Sequence, residues 1–224
     1  MICLANASFS RDEAVLALDV LFFSKDQRLS ANSASILELS ELLKKLPIHP
    51  SENRRADFRT PSGVLHQLQL FKTSLNRGEK HINVGNIFFT VYFEYEDNLE
   101  ALHKAASAIR RNISFFSALF GNVGEECGFQ EGILLGHLHR LIETQAEKKI
   151  KKADRCEICQ ISPMQVYHLV DDTLELHLIV DPVEMNGNEK YPVDKFITVC
   201  PNCHAALHRV RPWIPKDRIE TILR

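Results

Sequence analysis

No apolar run in these 224 residues approaches the ~20 needed to cross a bilayer as a helix, which excludes a membrane-spanning helix. Met1 to Ser10 lacks a basic start and a clear cleavage site, so secretion is not expected and a cytoplasmic location is. Excess charge of either sign is also missing. With 27 Lys and Arg against 29 Asp and Glu, the formal charge is -2, so a uniformly basic nucleic-acid surface is excluded and any basic face must be local. Cysteine is sparse. Of six, four stand in two pairs while Cys3 and Cys127 are distant singles, which argues against a disulfide framework and makes the singles buried or free thiols. There is no internal repeat, phosphate-cradling glycine loop or nucleophile elbow.

The last third of the chain is the informative part. Cys156-Glu157-Ile158-Cys159 and Cys200-Pro201-Asn202-Cys203 bracket His177 and are followed by His204 and His208. Two Cys-x-x-Cys pairs are the usual tetrahedral zinc arrangement, because each short turn lets both sulfurs reach one ion. The 40 residues between the pairs exceed the roughly 15 to 20 of a simple ribbon, so the zinc closes a small subdomain. Within it, Thr173 to Ile179 alternates and then runs apolar, predicting a strand that carries His177. His204 and His208 are four apart, so on a helix they share a face. One strand imidazole and two helix imidazoles can meet at a single ion and leave a coordination position open, as catalytic sites require.

Basic residues gather at both ends of this region. Lys148, Lys149, Lys151, Lys152 and Arg155 precede the first pair, and Arg209, Arg211, Lys216 and Arg218 follow the last histidine. Both clusters suit phosphate neutralisation, with a solvated helix face as the plain alternative.

The first two thirds read as helical. Ser10-Arg11-Asp12-Glu13 is a capping box opening one helix, Ser35-Ile36-Leu37-Glu38 a second box opening a helix that Pro47 ends, and Thr60-Pro61-Ser62-Gly63 an N-cap with proline at the first helical position. The third helix buries Leu65, Leu68 and Phe71 and turns His66, Gln67, Gln69 and Lys72 outward. Three short helices with such a face suit a helix-turn-helix-like DNA reader; a packing or dimerisation domain stays open, and a homodimer is compatible with it. Aromatic and β-branched Ile87 to Tyr95 predicts a strand, though its place between helices allows a helix. Asp97 to Arg111 predicts an amphipathic helix, Gly121 to Gly132 a connection, and Glu131 to Ala153 a long helix ending in basic residues. His137 and His139 fall on different faces of that helix, which predicts no shared metal; either could reach DNA, with a surface or packing role as the plainer expectation.

Through Cys156 to Cys159, Leu174 to Ile179, Val199 to Arg209 and Arg211-Pro212-Trp213, the segment 154–213 resembles the HNH endonucleases of the ββα-metal fold, in the four-cysteine zinc version of bacterial restriction enzymes. The amino-terminal region is similar to the leader of some of these proteins at Arg11 to Glu13, Leu37 to Ser40, Leu46 to Pro50 and Phe58 to Val64. The resemblance implies structural zinc on Cys156, Cys159, Cys200 and Cys203. It also implies a second divalent cation, Mg, Mn, Ni or Zn, on His177, His204 and His208, with DNA phosphodiesters as substrate.

Two positions depart from the family pattern. Where the strand usually reads Glu-x-His-His, this chain has Glu175-Leu176-His177-Leu178, and the central Asn falls on Lys195. In one register Leu178 replaces the general base; in the other His177 is the base and Leu176 replaces a ligand. His168 and Lys195 are the substitute bases. The expectation is an α+β protein with a helical, DNA-reading domain over 1–120, a connector and long helix over 121–153, and a zinc-stapled HNH domain over 154–224. It would act as a DNA endonuclease of weak activity, with Lys151, Lys152, Arg209 and Arg211 contacting DNA beside His66, Gln67, Gln69 and Lys72. A degenerate DNA-binding relative and a zinc-stapled protein-interaction module are the alternatives.

Overall fold

The computed structural model describes residues 7–26, 28–49, 54–78, 86–119, 133–168 and 173–208. Cys3, Cys127, the connection Gly121 to Gly132, Arg209, Arg211, the Arg-Pro-Trp segment, Lys216 and Arg218 lie outside the described residues. The chain divides into two units, Met1–Cys127 and Gly128–Arg224. No described helix is long and apolar enough to cross a membrane.

The first unit is helical: α1 (Arg11–Phe23), α2 (Ala34–Lys45), α3 (Pro61–Asn76), α4 (Asn86–Tyr95) and α5 (Leu99–Leu119). Helix α1 is its centre, because Ala14 to Leu18 is apolar all round and packs against the other four. Ser10 caps it: Glu13 N donates to Ser10 Oγ and Ser10 N to Glu13 Oε2. The same Glu13 carboxylate receives Arg59 Nε at 2.6 Å and Arg59 Nη2 at 2.9 Å, and lies 3.0 Å from His49 Nε2. Arg59 also donates to the carbonyls of Ala7 and Ser8 and stacks on Phe9. One buried ion cluster therefore ties the entry segment, α1 and the loop before α3 together.

Two expectations need correction here. The second helix starts at Ala34, with Ser33 rather than Ser35 at the cap. Ser33 Oγ turns back to Ser30 O, and the Asp26 carboxylate reaches in to receive both the Ser35 amide and its hydroxyl. Ser35 thus lies in the first turn, and no capping box forms with Glu38. The stretch Ile87 to Tyr95 is helix α4 and not a strand. Phe88, Phe89 and Val91 bury within the unit, where Phe71 meets Phe88, Phe89 and Tyr92 at ring distances of 5.0 to 6.1 Å. With no described strand in this unit to pair with, helical packing overrides the aromatic and β-branched composition.

The other helix signals act as their chemistry dictates. Leu46, before Pro47, is extended and ends α2. Thr60 Oγ1 accepts from Gly63 N at the start of α3. On α3, His66, Gln69 and Lys72 are exposed and Gln67 is half-buried.

The second unit contains α6 (Ile133–Glu147), α7 (Pro163–Tyr167), β1 (Glu175–Leu178), β2 (Phe196–Val199) and α8 (Pro201–Leu207). The strands pair antiparallel, with His177 opposite Ile197. Helix α6 is shorter than the basic run after it suggested: Lys149 N and Ile150 N both close on Ala146 O, and the lysines continue beyond the helix.

Glu13 supplies a test of the first unit. Burial alone would raise its carboxyl, but hydrogen bonds and charge from His49 and Arg59 outweigh that and hold it below the ordinary 4.5. As pH falls, the unfolded chain takes up this proton first, so the stability Glu13 contributes is complete above that value and is lost below it. Glu13→Ala should cost about 3–5 kcal/mol at neutral pH by stranding Arg59, and Glu13→Gln should flatten the acid limb of denaturant-midpoint measurements. An unchanged midpoint in both variants would show that the cluster does not hold the unit.

Candidate metal centres

The first centre is built on two backbone turns. Gln160 N returns to Cys156 O at 2.9 Å, with Gln160 at φ 63, and Cys156 N bonds Ile161 O. This knuckle is pinned to β2, because Glu157 N donates to Thr198 O and Thr198 N to Glu157 Oε1. On the other side, Cys200 is the N-cap of α8, Pro201 takes the first helical position, and Cys203 falls one turn later. The four sulfurs lie within 4.8 Å of one another. Around a tetrahedral zinc with bonds of about 2.3 Å, sulfurs stand about 3.8 Å apart; Cys159 Sγ and Cys200 Sγ are 3.7 Å apart. Leu174, Ile197, Val199 and Leu207 form the apolar core beneath.

The thiols do not share their protons evenly. Burial raises Cys156, but amide hydrogen bonds from Cys159, Cys200 and Ile158 outweigh it and bring it to about 7. Cys203 and Cys159 are pushed up, first by burial and then by neighbouring thiols. A fourfold thiolate is thus unfavourable by itself and suits a cation that compensates its charge.

The second centre lies where β1, α8 and α6 meet. The hairpin carries His177, and α8 carries His204 with His208 as its C-cap, so the three histidines singled out from the sequence converge: ring centroids are 5.2 Å apart for His177 and His204, 5.1 Å for His177 and His208, and 4.7 Å for His204 and His208. Helix α6 runs along the outer edge of β1. Its Glu143 Oε1 accepts from Leu178 N at 3.0 Å, Glu147 Oε1 from Leu176 N at 3.3 Å, and His139 Nε2 lies 2.9 Å from Leu178 O. Spaced at i, i+4 and i+8, these three side chains share one stripe of the helix.

That stripe brings Glu143 into the imidazoles. Its Oε1 is 3.1 Å from His177 Nδ1, 3.3 Å from His139 Nδ1 and 3.4 Å from His204 Nε2, and its Oε2 is 3.9 Å from His208 Nε2. His139, Glu143, His177 and His208 form a set whose donor atoms all lie within 4.8 Å of one another, and all four are buried. Nitrogen and oxygen ligands of a tetrahedral zinc, at about 2.0–2.2 Å, lie about 3.3–3.5 Å apart, close to the first distances. His204 stands beside this set, with Nδ1 2.6 Å from Glu175 Oε2 and Nε2 2.9 Å from His208 Nε2.

Charge follows the same geometry. Burial would raise Glu143, yet the surrounding imidazoles, His139 foremost, hold it well below the carboxylate range. Burial drives His177 down to about 4 against the opposing pull of Glu143. For His204, burial is outweighed by Glu143 and Glu175, which raise it. A cavity of about 410 Å³ opens beside the centre, walled by Arg140, Glu143, Glu147, Glu175, His204 and His208 among others.

The remaining site candidates are placed apart. His168 is exposed, the left-handed cap of α7 at φ 54, and Lys195 is exposed in the 3-10 turn before β2; neither belongs to the donor cluster. Lys151 is exposed, whereas Lys152 Nζ donates to Leu174 O. Of the two roles expected of His139, surface or packing, the structure shows the buried one, at the cluster. It does not share a face with His137, but it does with Glu143, and the spacing His139-x-x-x-Glu143 was the signal available for it.

The chain matches no family model, no curated protein and no solved structure. What stands is a small β-hairpin and helix of ββα-metal-like form beside two groups able to coordinate metal.

The purified chain should carry one zinc resistant to mild chelation, with Cys200→Ser losing it together with the folded second unit, because a closed thiolate site is part of the folding free energy. Elemental analysis and circular dichroism decide this. A folded wild-type protein that contains no zinc and takes none up would refute it.

Proposed function

We propose that the chain is a DNA endonuclease of the HNH restriction or defence type, hydrolysing phosphodiesters at the histidine centre. The observation that carries this reading is the convergence of a strand imidazole, His177, with two helix imidazoles, His204 and His208, beside an open cavity. A divalent cation held there would polarise a phosphoryl oxygen and stabilise the charge that develops on it.

The chain's own groups suit that task. Arg140 on the cavity wall offers a forked donor for a phosphate oxygen. Glu175 fixes the ring of His204, so its Nε2 lies on the inner side of the cavity wall. In unit one, His66, Gln67, Gln69 and Lys72 on α3 are the proposed base and backbone contacts, while Lys151, Lys152, Arg209 and Arg211 are proposed to position phosphates. The hydrogen bond from Lys152 to Leu174 O makes it the weakest member of that set.

A second reading, a DNA-binding relative with little or no cleavage, is favoured by Leu178. Where the family carries its base, this side chain is fully buried and apolar, with its amide and carbonyl taken up by Glu143 and His139. Losing a general base costs ~10²- to 10⁴-fold in rate, so slow nicking and pure binding are the two outcomes that matter.

Plasmid nicking by the full chain with magnesium, manganese and nickel separates them. Weak metal-dependent nicking that disappears in His208→Ala and rises in Leu178→His supports the nuclease; strong nicking indifferent to His177→Ala and His208→Ala removes this site from the reaction. For recognition, Gln67→Ala and Gln69→Ala should alter sequence preference without changing the salt slope of DNA binding, whereas Lys151→Ala should lower that slope. Salt-independent DNA binding, or none, would contradict the nucleic-acid reading.

A further inference from the structure

We propose that helix α6 supplies two ligands of the second cation, His139 through Nδ1 and Glu143 through its carboxylate. With His177 and His208 they form a four-residue set, beside which His204 stands. The inference rests on the reading of this cluster as a cation site and does not depend on cleavage.

The tautomer of His139 carries the argument. A carbonyl oxygen only accepts hydrogen bonds, so with Leu178 O 2.9 Å away, His139 Nε2 holds the ring hydrogen. In the neutral ring, Nδ1 then presents its lone pair, and what it faces at 3.3 Å is a carboxylate oxygen, Glu143 Oε1. Lone pair against lone pair is repulsive unless something positive lies between them. A second proton on His139 would supply that charge, but the demand is wider than one ring. His177 Nδ1 points at the same oxygen from 3.1 Å and His208 approaches the other, with every member at most 4 % exposed. One divalent cation satisfies all four donors at once.

The surrounding bonds have the form of a ligand's supporting shell. A histidine that binds metal commonly donates its other ring hydrogen to a backbone carbonyl, and a ligating carboxylate is itself held by a hydrogen bond. Leu178 provides both, its carbonyl for His139 and its amide for Glu143. His204 differs in being partly exposed at 16 % and in bonding Glu175 through Nδ1, although its Nε2 lies 3.4 Å from Glu143 Oε1. Three imidazoles and one carboxylate suit zinc, cobalt or nickel; magnesium, which favours oxygen ligands and retains waters, suits this set poorly.

The test is cobalt(II) titration of the chain carrying one equivalent of zinc, held by the four cysteines, followed by absorption and competition with a chelator. The wild type should take up one cobalt without thiolate charge-transfer bands. Glu143→Gln, which keeps an acceptor for Leu178 N, and His139→Ala should each weaken cobalt binding by about tenfold or more. Wild-type cobalt affinity in either the Glu143 or the His139 variant overturns the proposal. A second measurement needs no variant: in long-range proton–nitrogen spectra, zinc should shift His139 Nδ1 while Nε2 keeps its hydrogen, and an unmoved Nδ1 overturns the proposal. Loss of cobalt in the α6 variants of a protein that never nicks DNA would leave this inference standing and remove the nuclease; nicking with cobalt retained in those variants would do the reverse.

Discussion

A carboxylate buried among four imidazoles must be compensated, and the way Glu143 is compensated organises the second unit. Its Oε1 meets His177 of the hairpin, His139 of its own helix and His204 of α8, and it also takes the Leu178 amide. No two of these partners come from the same element except Leu178 and His177. The hairpin, α6 and α8 are therefore registered against each other through one oxygen, and a shift of any of them by a residue would strand a buried charge. The four-cysteine centre shares α8 with this framework: Cys200 is the helix's N-cap and Cys203 lies within it, next to His204, while His208 is its C-cap.

The first unit uses an analogous device without histidine clustering. Glu13 serves as half of a capping box and as the acceptor for Arg59. A local signal that marks a helix start thus also fixes a contact 46 residues away in sequence. Both units place a fully buried carboxylate on a helix and satisfy it from segments remote in the chain, so that helix placement depends on polar groups as well as on apolar packing.

Much of this was legible because the signals were short in range. The Ser10 to Glu13 box, the proline after α2, the Thr60-Pro61 start and the paired cysteines each act within four residues, and the structure realises each one. Ser35 misled because a hydroxyl at the right spacing was already claimed by Asp26, nine residues earlier. Ile87 to Tyr95 misled because composition cannot tell whether a strand partner exists. His139 was the most consequential omission. Paired with His137 it has no shared face, while its true neighbours, Glu143 at one turn and His177 across the fold, become visible only when helix periodicity is read together with the course of β1. Sequence spacing reveals which residues one element can align; it does not reveal which element will be laid beside another.

The position of α6 along β1 also closes the outer edge of the hairpin. An uncovered strand edge is a template on which another chain can add, and proteins commonly blunt such edges with charge or cover them. Here the outward amides of Leu176 and Leu178 are closed by Glu147 and Glu143, side chains of a helix whose seat also involves the histidine cluster. Whatever loosens that cluster frees the carboxylates and bares the hairpin's edge. The edge on which a further strand could pair is thus closed in part by the same residue, Glu143, that gathers the imidazoles.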